Sequence, residues 1–177
     1  MSENIEIIIY QYSKQGRKIE YASLSDGRSY FDPEDYNAQF FWGAMGGISI
    51  KVENYKVILD CDEFYVLLKA IDFLLQSMAW INEEEEEWLD KDEEYPNDVA
   101  IRFQSGNFLR LSEFDKKRGQ RFFSSHRITK ELWVDAVTIA LNEYFNVIED
   151  IIKLDDEKSP SRVLSDYRDY WKKLKNF

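Results

Sequence analysis

The sequence predicts an α+β fold, a mostly antiparallel sheet of about six or seven strands packed against two long helices and a C-terminal helix. Two observations carry this. Apolar and β-branched residues alternate in short runs through residues 1–60 and again around 99–113. Between and after those runs, apolar residues recur at helical spacing over long stretches. Grouped strands with segregated helices belong to the α+β class.

Ile5 to Tyr12 is β-branched and aromatic on both faces, which suits a central, doubly covered strand. Ser13 to Lys18 reads as a turn, and Ile19 to Leu24 as a second strand. Asp26-Gly27 is a hairpin signal leading to a short strand at Arg28 to Phe31. Asp32-Pro33 marks a helix start that reaches Trp42, where Gly43, Gly46 and Gly47 break it. Ile48, Ile50 and Val52 then share one face of a strand, with Val57-Ile58-Leu59 as its hairpin partner.

Asp60-Cys61-Asp62-Glu63 has the form of a capping box and opens a helix over 62–89. Its apolar stripe is Phe64, Leu67, Leu68, Ile71, Leu74, Leu75, Met78 and Ile81, continued to Trp88 and Leu89. In the hairpin over 99–113, a three-residue loop (Ser105-Gly106-Asn107) sets Phe103 opposite Leu109 and Ile101 opposite Leu111. It also puts Arg102 opposite Arg110 on the outer face. Arg121 to Ser125 reads as one more strand. A helix over 129–154 buries Trp133, Val137, Ala140, Tyr144, Val147, Ile148 and Ile151. The last helix, over 160–175, starts at Ser159-Pro160 and carries the stripe Leu164, Tyr167, Trp171 and Leu174. With 177 residues and no flexible linker, one domain over 1–177 is expected.

Charge is concentrated in one place. Nine of the twelve residues from Glu83 to Glu94 are acidic: Glu83, Glu84, Glu85, Glu86, Glu87, Asp90, Asp92, Glu93 and Glu94. With Lys91 the segment carries −8 of the chain's net −11. In a helix, such like charges repel at i,i+3 and i,i+4 and oppose the dipole of its C-terminal end. Cations from elsewhere would relieve that repulsion. A solvated helix end is the plain structural reading. Docking of a basic partner on Glu83, Glu84, Glu86, Glu87, Asp90, Asp92, Glu93, Glu94 and the adjoining Trp88 is the functional one. The last helix, with five bases and two acids from Ser159 to Phe177, is an internal competitor, as is the basic loop Lys116 to Arg121. Arg102 and Arg110 repel across their hairpin unless a carboxylate or another anion lies between them.

Other chemistries find no signature. Asp90, Asp92 and Glu94 alternate as in a calcium loop, but Tyr95 stands where glycine is needed and Ile101 where a ligand is needed. Residues 43–47 lack the features of a phosphate-binding loop. His126 is the single histidine, expected at the surface or at a helix entry. Cys61 is the single cysteine, flanked by acids that raise a thiol pKa. No metal and no cofactor are expected. The acidic balance argues against direct nucleic-acid binding. The lone thiol, together with a start lacking basic residues and the absence of a long apolar run, predicts a cytoplasmic protein without a membrane span.

These features predict a protein-interaction domain without catalytic activity, such as an acidic inhibitor or bacterial immunity-type protein that binds a basic toxin or nuclease. The alternatives are a carboxylate-based hydrolase, with its site between sheet and helices, and a self-associating structural protein.

Overall fold

The computed structural model describes residues 4–15, 18–23, 46–52, 56–59, 66–82, 87–90, 97–103, 107–115, 120–154 and 159–176. The described chain contains eight strands and three helices. In order they are β1 (Ile5–Gln15), β2 (Lys18–Ser23), β3 (Gly46–Val52), β4 (Lys56–Leu59), α1 (Leu67–Asn82), β5 (Glu87–Asp90), β6 (Asn97–Phe103), β7 (Phe108–Asp115), β8 (Gln120–Thr129), α2 (Lys130–Leu154) and α3 (Ser159–Leu174).

The strands do not form the single sheet of six or seven expected from sequence. They form two four-stranded antiparallel sheets, in the orders β2-β1-β3-β4 and β5-β6-β7-β8. Alternation reveals which residues are strand and which hairpins close locally. It does not say whether strands on either side of a helix pair with each other. Here α1 separates the two sets and packs on β3 and on β5. The helices also differ from expectation, since only α2, at 25 residues, is long. The helix expected over 62–89 spans Leu67–Asn82, and Glu87–Asp90 is a strand.

In the first sheet, register explains the core. Ile5, Ile7 and Ile9 of β1 stand opposite Val52, Ile50 and Ile48 of β3, and all six are buried. Opposed residues share a face, so these six form one apolar surface. On the other face of β1, Ile8 and Tyr10 are half-buried opposite the buried Ser49 and Gly47, so that face is covered in part. Glu6 is exposed and pairs with Lys51, its register partner, at 3.7 Å. The turn expected at Ser13 to Lys18 is shorter, because β1 runs to Gln15 and β2 starts at Lys18. Gly46 and Gly47, expected to break the preceding helix, are buried strand residues opposite Gln11 and Tyr10. The β3–β4 hairpin pairs Lys51 with Val57 and Ile50 with Leu59 across a bulge. The hairpin signal at Asp26-Gly27, the strand at Arg28 to Phe31, the helix start at Asp32-Pro33 and the capping box at residues 60–63 lie outside the described residues.

α1 buries more than a stripe. Ala70, Phe73, Ser77 and Trp80 are buried along with Leu67, Ile71, Leu74, Leu75, Met78 and Ile81. Neighbours on several sides account for this: α1 touches β3, α2, α3 and β5. α2 follows β8 without a linker. The Thr129 hydroxyl accepts a hydrogen bond from the Leu132 backbone N–H at 3.2 Å, which caps the first turn. Trp133, Val137, Ala140, Tyr144, Val147 and Ile148 face inward as their spacing predicts. α3 closes over α1 and α2 through Leu164, Trp171 and Leu174, while Lys172 and Lys173 occupy its last turn, where cations suit the helix dipole.

Buried side chains of both sheets and all three helices form one apolar cluster. Within it, two tryptophans find acceptors. Trp133 Nε1 donates to Ser77 Oγ at 3.1 Å, and Ser77 Oγ donates to the Leu74 carbonyl at 2.7 Å. Trp171 Nε1 donates to Asn142 Oδ1 at 3.1 Å. Phe73 packs edge-on against Trp133, with ring centroids 6.5 Å apart.

Candidate functional site

The second sheet carries the charges singled out in the sequence. Its central hairpin has the predicted register, with Phe103 opposite Leu109, Arg102 opposite Arg110 and Ile101 opposite Leu111. Leu109 and Ile128, which oppose each other on β7 and β8, are fully buried. That face therefore looks into the core. Arg127, opposite Arg110 and one residue along from Ile128, lies on the outer face and is exposed.

The strands flanking the hairpin extend this row. β5 sets Glu87 opposite Arg102, and β8 sets Arg127 opposite Arg110. A single register line thus crosses the sheet as Glu87, Arg102, Arg110 and Arg127. The Arg127 guanidinium carbon lies 3.8 Å from the centre of the half-buried Phe108 ring, a cation–π contact on the same face. No acid stands at the register neighbours of Arg110 or Arg127. Across the strands these are Arg102, Ala100, Ser125 and Thr129, and along β7 they are Phe108 and Ser112. Glu87, at the far end of the row, is the single carboxylate on the line.

Of the residues expected to bind a partner, Glu83, Glu84, Glu86, Asp92, Glu93 and Glu94 lie outside the described residues, as does Glu85. Glu87, Trp88 and Asp90 belong to β5. There Trp88 pairs with Ile101, Asp90 with Val99 and Glu87 with Arg102. The structure pairs Arg102 with Arg110 and adds Arg127, which falls between the strand expected to end at Ser125 and the helix expected from Thr129. Ile128 was the available signal: continuing the strand sets it against Leu109 and turns Arg127 outward. His126, expected at the surface or a helix entry, is a strand residue opposite Leu111. Cys61 and Lys116 to Arg118 lie outside the described residues.

A second polar cluster lies between the helices. Burial first, then the Asp72 carboxylate and a hydrogen bond to it, push the Tyr167 phenol up to about 12. Burial, and secondarily Tyr167, push the Tyr144 phenol well above its ordinary value. The Tyr144 hydroxyl is buried and has no hydrogen-bond partner among the described residues. Among the described residues no group of three or more His, Cys, Asp or Glu is placed to hold a metal ion. None of the described helices is long and apolar enough to cross a membrane.

No protein-family model matches the chain, and neither the curated proteins nor the solved structures include one that is significantly similar to it.

Proposed function

We propose that the protein is a protein-interaction domain without catalytic activity, an acidic inhibitor of the immunity type that binds a basic protein partner in the cytoplasm. The observation that carries this is the sorting of charge on the second sheet. Its terminal strand β5 lies within the segment of net charge −8, while the positions further along the same register line are arginines. Charge concentrated at one edge is suited to steering and orienting a partner of opposite sign. The lone cysteine is consistent with a reducing compartment.

The test is capture of partners from the native cell by the parent chain and by a variant with Glu83 to Glu87 changed to Gln. Any protein held only by the parent is then purified and titrated against both chains. A basic protein bound by the parent, released by salt and weakened at least tenfold by the variant is expected. If every captured protein binds both chains equally, or if none responds to salt, the reading is wrong.

A further inference from the structure

We infer that the outer side of the helical layer is a self-association surface, on which two copies of this chain pair with the basic end of α3 of each resting on the acidic outer row of α2 of the other. The inference is independent of the basic-partner reading, because the purified chain alone tests it.

Glu131, Asp135, Ile139 and Glu143 follow one another at four-residue spacing along α2, so they form one row on the helix surface. Glu131 and Asp135 are exposed, Glu143 is half-buried, and Ile139 keeps 68% of its surface in water. Ile139 and Tyr170 are the large hydrophobic side chains exposed among the described residues. No base stands three or four residues from Asp135 or Glu143 along α2, so the like charges of the row have no local relief. The end of α3 is the converse. Lys172 and Lys173 in its last turn, and Lys175 directly after it, are exposed. Asp169, the acid one turn back, is bonded to Arg168 at 3.1 Å. Among the described residues, none of these three lysines and neither Glu131 nor Asp135 takes part in an ion pair. A second copy supplies each helix with the charge it lacks.

The packing of the helices gives the pairing its shape. α1 packs on β3 and α2 on β1, while α3 packs on α1 and α2. α3 therefore stands one layer further from the first sheet, as a ridge beside the outer row of α2. Trp171 bonds to Asn142, and these two residues lie equally far from the connection between α2 and α3, so the helices run antiparallel with Asn142 and Trp171 level. A two-fold axis lying in the interface, parallel to both helices, turns one such stepped surface onto the other. The α3 ridge of each copy then rests in the step over α2 of the other, still antiparallel to it. The rotation leaves heights along the helices unchanged, so Ile139 comes level with Leu174 of the second copy. Asp135 and Glu143 lie within about one helical turn, measured along the axis, of the second copy's Lys175 and Lys173. The lysine stems cover Ile139 while their ammonium groups reach the carboxylates. Each copy uses both of its charged rows, so the assembly closes at two. Two helices ~10 Å wide, in contact over ~20 Å, offer roughly 400 Å² per copy. A standard interface supplies about 800 Å² per partner. The pairing is therefore weak and fast.

Sedimentation equilibrium of the purified full chain over a wide range of protein concentration tests the inference. The parent is expected to form dimers and no larger species. Ile139→Asp, Asp135→Lys and Lys175→Glu all change exposed positions, and each change acts twice in a symmetric pair. Each is expected to raise the dimer Kd at least tenfold. An equimolar mixture of Asp135→Lys and Lys175→Glu chains sets opposite charges together at both contacts and is expected to dimerise like the parent. Circular dichroism confirms that each variant is folded. A parent that stays monomeric at every concentration overturns the inference. So does association that ignores the single changes, growth beyond two copies, or a mixture of the two folded charge variants that stays monomeric.

Discussion

Replacing Ser77 by alanine probes how the buried tryptophan of α2 is held. Ser77 is buried in α1, and its hydroxyl receives the Trp133 indole N–H at 3.1 Å while donating to the Leu74 carbonyl at 2.7 Å. Trp133 is itself fully buried beside Phe73, so water does not reach the vacated acceptor site. An orphaned buried donor costs about 1–3 kcal/mol. Alanine is the better helix former by at most ~0.7 kcal/mol, which offsets part of this. The net loss is therefore on the order of 0.5–2.5 kcal/mol. For a chain of 177 residues, each kcal/mol moves Tm by about 2–4 °C. Urea unfolding followed by tryptophan fluorescence reads the loss as a lower midpoint at unchanged slope. A double-mutant cycle with Trp133→Phe isolates the hydrogen bond, because Ser77→Ala should cost little once the indole N–H is gone. A Ser77→Ala protein as stable as the parent, or one equally destabilised in both backgrounds, would refute the assignment.

Four further outcomes follow from the same structure. Tyr144→Phe removes a buried hydroxyl with no partner among the described residues, so stability should hold or rise by up to about 1–3 kcal/mol, and a loss beyond 1 kcal/mol in urea unfolding would contradict it. Tyr167 keeps its proton up to about 12 in the folded chain, against about 10 when unfolded. Its contribution to stability is thus intact below pH ~10 and lost as pH rises toward 12; alkaline unfolding should be shallower in Tyr167→Phe, and an identical pH profile would count against it. Thr129→Ala should cost about 1 kcal/mol by removing the cap of α2, read as a lower urea midpoint. Lys51→Ala should change stability by under ~1 kcal/mol, because its pairing with Glu6 is largely exposed; thermal unfolding that shows a larger loss would indicate a role beyond that pair.

Local signals were strong where one face of an element is buried and the other wet. Ile48, Ile50 and Val52 announce the inward face of β3, and the heptad-like spacing of Trp133, Val137, Ala140 and Tyr144 does the same for α2. Matching apolar residues across the turn also yields the register of β6 with β7, because a slip of one residue would drive arginines against Leu109. The segment around Glu87 went the other way. Trp88 and Leu89 continue the spacing of α1, so periodicity alone extends that helix, yet the four residues Glu87–Asp90 gain a full ladder against β6. A helix there would also have carried like charges at i,i+4, an arrangement that a strand does not impose.

The sequence alone therefore determined the charge distribution, most inward faces and the register of the β6–β7 hairpin, since each depends on neighbours within a few residues. Tertiary structure decided what depends on distant partners: the division of the strands into two sheets, the nearly all-round burial of α1, and the pairing of β5. It also joined Arg127 to Arg102 and Arg110. The pairing of Arg102 with Arg110 is local and legible in the sequence, whereas Arg127 joins them only through the register of β8 on β7.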